Sequence, residues 1–94
     1  MKYVVLSRWR KKPTRQILDE AKKLQERARK EGIKILGQYW TFGRWDSVNI
    51  LEAPDEKAAM KALLRLGDLC STETLIAISA DEAEKFVESF LRIL

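Results

Sequence analysis

The chain has 94 residues, a formal charge of +4, no histidine and a single cysteine. Without histidine it lacks the commonest general base and the usual ligand of haem and zinc, and the lone Cys70 excludes an internal disulfide. The length makes one domain, residues 1–94, whose thin core is naturally supplemented by association with a second copy.

Residues 2–9, KYVVLSRW, are β-branched and aromatic and predict a first strand. RKKP is a loop, and Thr14 is placed to cap a helix, because its hydroxyl can accept from the free amides of the first turn. Ile17, Leu18, Ala21, Leu24 and Ala28 then recur at helical spacing, with lysines and arginines on the other face, until Gly32 ends the helix. Residues 1–34 hold 12 Lys/Arg against 4 Asp/Glu, whereas residues 35–94 hold 6 against 10. Such asymmetry marks either an acidic partner or a basic helix facing water.

IKILGQYWTF, 33–42, predicts a second strand, and SVNILE, 47–52, a third. The short connection Gly43 to Asp46 implies an antiparallel hairpin. Pro54 and Asp55 open a second helix with Ala59, Ala62, Leu63 and Leu66 on one stripe, and Gly67 stops it. TETLIAIS, 72–79, predicts a fourth strand, with Cys70 a small apolar residue at its edge. Asp81 and Glu84 have the spacing of a capping box at the start of a last helix. The order βαββαβ plus a C-terminal helix predicts an α+β, ferredoxin-like fold: an antiparallel sheet with both main helices on one face.

Alternation along the strands bears on the uncovered face. In the first strand Val4 and Leu6 oppose Tyr3, Val5, Ser7 and Trp9. In the second, strict alternation sets Ile33, Ile35, Tyr39 and Thr41 against Leu36, Trp40 and Phe42. In the fourth, Leu75 and Ala77 oppose Ile76 and Ile78. Neither side is free of large apolar groups, which suits a sheet covered on both faces. A second copy packed sheet to sheet would supply the cover. The last helix is apolar over more than half its circumference, so Phe86, Phe90, Leu91 and Leu94 are candidate interface residues of a homodimer or larger homo-oligomer.

YWTFGRWDSVNILEAPDEKAA followed by STETLIAIS resembles the GYD domain family, named for a Gly-x-Tyr-Asp-type turn between its second and third strands. Here the turn is Gly43-Arg44-Trp45-Asp46, with tryptophan in place of tyrosine. Tyr39, Thr41, Glu52, Ala53, Pro54 and Asp55 stand where the family pattern puts them, and Thr72, Glu73 and Thr74 match the entry to its fourth strand. The loop 10–15 is unlike the usual sequence there. The resemblance implies the dimeric α/β-barrel type of chain, whose relatives include cofactor-independent monooxygenases, haem binders and amino-acid-binding regulators. Fold-level analogy alone does not choose among these.

Three functional classes follow. The first is a dimer that binds a small organic molecule between sheet faces. Its candidate ligand residues are Arg8, Tyr39, Thr41, Trp45, Asp46, Asn49, Glu73 and Thr74, polar or amphipathic groups on otherwise apolar strands and in the turn. As an oxygenase-like enzyme it would have Glu73 or Asp46 as base and Tyr39 or Arg8 as anion stabiliser. The second class is an assembly or regulatory module without chemistry. The third is nucleic-acid binding through RWRKKPTR, with Trp9 stacking on a base. The third strand has no aromatic residue and the RNA-recognition signature is missing, so a solvated basic face accounts for that stretch better. No cofactor or metal is expected. No stretch is long and apolar enough to span a bilayer, and the N-terminus lacks a signal-peptide layout, so a cytoplasmic location is expected. Few amide residues among many Lys, Arg and Glu lean towards a thermophile.

Overall fold

The computed structural model describes residues 1–93. The elements are β1 (Lys2–Trp9), α1 (Arg15–Lys30), β2 (Lys34–Trp40), β3 (Ser47–Glu52), α2 (Glu56–Leu66), β4 (Cys70–Ala77) and α3 (Ala80–Ile93). The four strands form one antiparallel sheet in the order β2-β3-β1-β4, the ferredoxin-like arrangement expected from the sequence.

Local chemistry sets most boundaries. The Thr14 hydroxyl accepts from the Ile17 amide at 3.3 Å and starts α1. Arg27, Arg29 and Lys30 sit in its last turn, where positive charge suits the helix dipole. Gly32 then adopts φ +94°, and a Cβ there would meet the Pro54 ring at 3.1 Å, so glycine is required on two counts. The Asp55 carboxylate accepts from the Ala58 amide at 2.9 Å and starts α2. Arg65 near the end of α2 reaches Glu31 at the end of α1 with a two-pronged contact of 2.6 and 3.2 Å, tying the helices together.

Three expectations are corrected. The fourth strand begins two residues earlier than its apolar run, at Cys70, and ends at Ala77. Ser79 is no strand residue: its hydroxyl accepts from the Glu82 amide at 3.1 Å and caps α3, the role assigned to Asp81. In β2 an irregularity between Ile35 and Gly37 interrupts the period of two. Opposite partners share a face, so Ile35, paired with Leu51, and Trp40, paired with Ser47, both face the helices. Tyr39, paired with Val48, faces the other way.

The core lies between the sheet and the two helices. Tyr3 and Val5 from β1 pack with Ala28, Ile33, Ala53 and Ala59, and Leu51, Ala62 and Leu63 close around them. Many of these are alanines, so the helices bring little bulk to the sheet. The opposite face carries Val4, Leu6, Val48 and Ile50, all half-buried, with Leu75 and Tyr39 exposed beside them. α3 stands apart: among the described residues no Cα of α3 comes within 8 Å of another helix or strand. It exposes Phe86, Val87, Phe90 and Leu91 to solvent. The fourth interface candidate, Leu94, lies outside the described residues. A compact chain of this length has a radius of gyration of about 12–13 Å. The observed 15.6 Å, with a long dimension of 54 Å, reflects the projecting helix. No helix among the described residues is long and apolar enough to cross a membrane.

Candidate functional site

A cavity of about 330 Å³ opens between the inner face of the sheet and helices α1 and α2. Its floor is β1 and β3, from Val5 to Trp9 and from Ser47 to Leu51. Ile35, Gln38 and Trp40 of β2 form one wall, delivered there by the irregularity in that strand. Leu18, Leu24 and Ala28 of α1, with Leu63 and Leu66 of α2, roof it with apolar surface. Among the described residues no carboxylate lines the cavity, and Lys22 is the one charged group on its border.

Ser47 and Asn49 on the floor, with Gln25 and Gln38 beside them, give the lining polar side chains, and two further polar atoms are buried within the floor itself. Ser7 is 2% exposed, and its Oγ has no hydrogen-bond partner among the described residues. Trp9, two residues along on the same face, has a buried indole Nε1 that is likewise unpartnered. The Trp9 ring lies 5.9 Å from that of Trp40, in a tilted pair at the end of the cavity. Cys70, opposite Trp9 on β4, also reaches the cavity. Burial, and secondarily the charge of Asp46, pushes its thiol up, while Arg10 opposes the shift. Cys70 therefore stays a protonated thiol, not a nucleophile.

The turn expected to contribute ligand residues is instead built to hold itself. Gly43 turns the chain at φ +110°. The Thr41 hydroxyl donates to the Trp45 carbonyl at 2.6 Å, and the Thr41 amide donates to the Asp46 carbonyl at 2.9 Å. The Asp46 carboxylate accepts from the Trp9 amide at 2.9 Å, while the Asp46 amide donates to the Ser7 carbonyl at 2.8 Å. β1 and β3 stop pairing at Ser7 and Ser47, so the Asp46 side chain continues the ladder one step further. Arg8 clasps the tip from below, its guanidinium donating twice to the Arg44 carbonyl at 3.0 and 2.6 Å. The Arg44 guanidinium lies 5.7 Å over the half-buried Trp45 ring.

The eight predicted site residues therefore divide. Asn49 and Tyr39 border the cavity, although the Tyr39 ring lies over Gly37 on the open face. Arg8, Thr41, Trp45 and Asp46 belong to the turn. Glu73 and Thr74 are exposed on opposite faces of β4. They do not come together as one site, and the cavity lies on the helix side of the sheet, not between sheet faces. Trp9, Trp40, Gln38 and Lys22 were not anticipated as cavity residues. The sequence signal for Trp9 was its phase with Tyr3, Val5 and Ser7. That phase turns Trp9 inward, which removes the base-stacking residue from the nucleic-acid reading. Arg10 is also engaged internally, donating to the Gly67 carbonyl at 2.6 Å.

Comparison with known proteins agrees with this architecture. A Thermus thermophilus protein described as a glutamine synthetase and cystathionine beta-lyase binding protein is 35% identical over 51 residues, 54% of each chain. This chain thus spans about half the length of that curated relative. The crystal structure of FFRP-DM1 superposes with a TM-score of 0.57 at 16% identity, over 82% of this chain and 97% of that one. The crystal structure of TTHA0845 from Thermus thermophilus gives a TM-score of 0.52 at 23% identity, over 84% and 94%. The fold shared with these structures is the ferredoxin-like α+β fold. The family model of the GYD domain matches residues 3–87, and the chain belongs to that family.

Proposed function

We propose that this chain is a homo-oligomeric binding module, in which a second copy covers the open face of the sheet and a small organic molecule occupies the cavity on the inner face. The observation that carries this reading is a sheet with two apolar faces, of which the chain itself covers one. Val4, Leu6, Val48 and Ile50 form the centre of the open face, and Lys2, Glu52, Arg8 and Glu73 surround it. An apolar centre inside a charged rim is the anatomy of a protein interface. Burial there returns about 25 cal/mol for each Å² of apolar surface, a substantial gain for so thin a core. The apolar stripe of α3 is a second surface available to the partner copy.

Sedimentation or light scattering tests the assembly. The expected result is a mass of two chains or a larger multiple, falling to one chain in Leu6→Glu. A mass of one chain for the wild type across the concentration range sinks it. A thermal-shift screen of small organic molecules tests the cavity, since a ligand of the native state raises the midpoint with saturation.

A second reading makes α3 a handle for a different protein. It is favoured by the projecting helix and by the relative described as binding two enzymes. In that case truncation before Ala80 leaves the self-association intact and abolishes capture by the other protein. An oxygenase-like chemistry has less to recommend it, because no carboxylate among the described residues lines the cavity and Cys70 is held protonated.

A further inference from the structure

Inward-facing positions around the cavity carry carboxamides where a closed core would carry hydrocarbon. On α1, Gln25 is spaced i+4 from Ala21 and i−3 from Ala28, both buried, so it shares the stripe that faces the sheet. On the sheet, Asn49 stands opposite Val5 and Gln38 opposite Asn49, and opposite partners share a face, so both point towards the helices. Gln25, Gln38 and Asn49 all border the cavity. None of these side chains takes part in a hydrogen bond among the described residues. Ser7 Oγ and Trp9 Nε1 are enclosed, but these amide groups are open to a ligand: Gln25 and Asn49 are half-buried and Gln38 is exposed.

A carboxamide holds a donor NH₂ and an acceptor oxygen side by side. Its complement also presents a donor beside an acceptor, as the edge of a lactam or an aminopyrimidine does. A ketone, a carboxylate or an ammonium group answers only half of it. With no carboxylate among the described lining residues, a cationic ring would be desolvated against nothing that could pair with it. The rest of the lining is apolar or flat. Leu18, Leu24, Leu63 and Leu66 form the roof, and Trp40, 64% exposed, stands in the β2 wall with the Trp9 ring 5.9 Å away. An exposed indole is a stacking platform for a planar ring. The volume stands at the small end of the range for ligand sites, about 300–1,000 Å³, which suits a body of one or two rings. A neutral heteroaromatic ring meets these demands together, because its faces are apolar and its edge alternates donors and acceptors.

Building on the reading of the cavity as a ligand site, we propose that its ligand is a neutral heteroaromatic ring of the nucleobase class, stacked on Trp40 and hydrogen-bonded along its edge by the carboxamides of Gln25, Gln38 and Asn49. The ligand is a small molecule, not a nucleic acid. Arg8 and Arg10, which a phosphate backbone would need, donate instead to main-chain carbonyls.

Matched probes test this on the full chain. Adenosine, guanosine, cytidine and uridine are compared with naphthyl and phenyl C-ribosides, which keep the sugar and the shape of the ring but lack the polar edge. Binding is followed by calorimetry and by tryptophan fluorescence. At least one nucleoside is expected to bind roughly fivefold to tenfold more tightly than the hydrocarbon riboside of its ring size, the worth of one or two net hydrogen bonds. It should also quench tryptophan emission, and Trp40→Phe should remove most of that quench. Gln25→Met, Gln38→Met and Asn49→Leu keep the side-chain size without the amide. Each should weaken the nucleoside and leave the hydrocarbon ribosides unchanged. Their melting midpoints should stay at or above the wild-type value, since no internal hydrogen bond is lost, so a lost preference is not a lost fold. Hydrocarbon ribosides binding as tightly as every nucleoside, or a preference that survives all three amide substitutions, would overturn the polar-edged ring and leave the cavity a generic apolar site. Nucleoside binding with no change in emission would overturn the stacking on Trp40. No binding by any of these probes, hydrocarbon bodies included, would overturn both the ring class and the cavity as a ligand site.

Discussion

Replacing Asp46 by alanine isolates what the acid of the GYD-type turn does. In the native protein its carboxylate accepts one hydrogen bond, from the Trp9 amide at 2.9 Å, at the point where β1 and β3 part. The alanine variant leaves that amide without an acceptor at a half-buried site. Hydrogen bonds to charged groups contribute about 1.5–3 kcal/mol, and partial exposure puts this one near ~2 kcal/mol. For a chain of this size that loss lowers the melting midpoint by about 8–16 °C. Asp46→Asn keeps an oxygen in place and should recover roughly half of it, because a neutral acceptor is about half as strong. The assay is urea and thermal unfolding followed by circular dichroism, at one fixed protein concentration so that self-association does not move the midpoint. An unchanged urea slope confirms that only stability has moved. Should the alanine variant melt within about 3 °C of the wild type, or the asparagine variant fall as far as the alanine, the ladder-extending role is wrong.

Three further outcomes follow from the same geometry. Gly43→Ala meets no atom within 4 Å but must hold φ +110°, so it should lose about 1–2 kcal/mol in urea unfolding from backbone strain alone. Glu31 is held below the usual carboxylate range, first by its hydrogen bond from Arg65, then by the charges of Arg65, Arg27 and Lys61 against a partial desolvation. Its contribution is thus complete above the unfolded value of about 4.3 and is lost as pH falls through the lower folded value. Denaturation curves of Glu31→Gln should accordingly differ from wild type at neutral pH and converge with it in acid. Cys70, 3% exposed with a raised thiol, should react with an aromatic disulfide at about pH 8 only as fast as the protein opens; rapid labelling of the native state would contradict its burial.

Features that depend on a few neighbouring residues were legible in the sequence. The caps at Thr14 and Asp55 and the glycine at 43 each follow from chemistry within one turn of chain. The antiparallel hairpin follows from a short link between two apolar runs. What escaped depends on distant partners. The irregularity after Ile35 is fixed by pairing to Leu51 and Ile50, and it reverses which side of β2 faces the helices. A strict period of two therefore placed Tyr39 with Ile35, when Trp40 is Ile35's companion. The cavity was illegible for the same reason, since its walls come from β1, α1, β2, β3, α2 and the first residue of β4. Asp46 and Arg8 looked like ligand residues because an acid and a base beside a tryptophan carry the same composition whether they hold a turn or a molecule.

The turn and the cavity are nevertheless one construction. Asp46 grips the main chain at Trp9 and Ser7, and those same two residues line the cavity floor. Fixing the backbone there fixes that end of the cavity floor, so less ordering is required on binding. The thin alanine-rich roof gives the complementary part of the argument. Ala21, Ala28 and Ala62 leave room beside the sheet that leucines would have filled, and a chain that forgoes that packing is less stable alone. Binding energy from a ligand inside and from a second copy outside adds to the native state of such a chain by mass action. A variant that fills the cavity, Ala21→Leu, should therefore raise the midpoint of the unliganded protein and abolish the thermal shift given by any small organic molecule that binds the wild type. A gain in stability with ligand binding retained would separate the roof from the site.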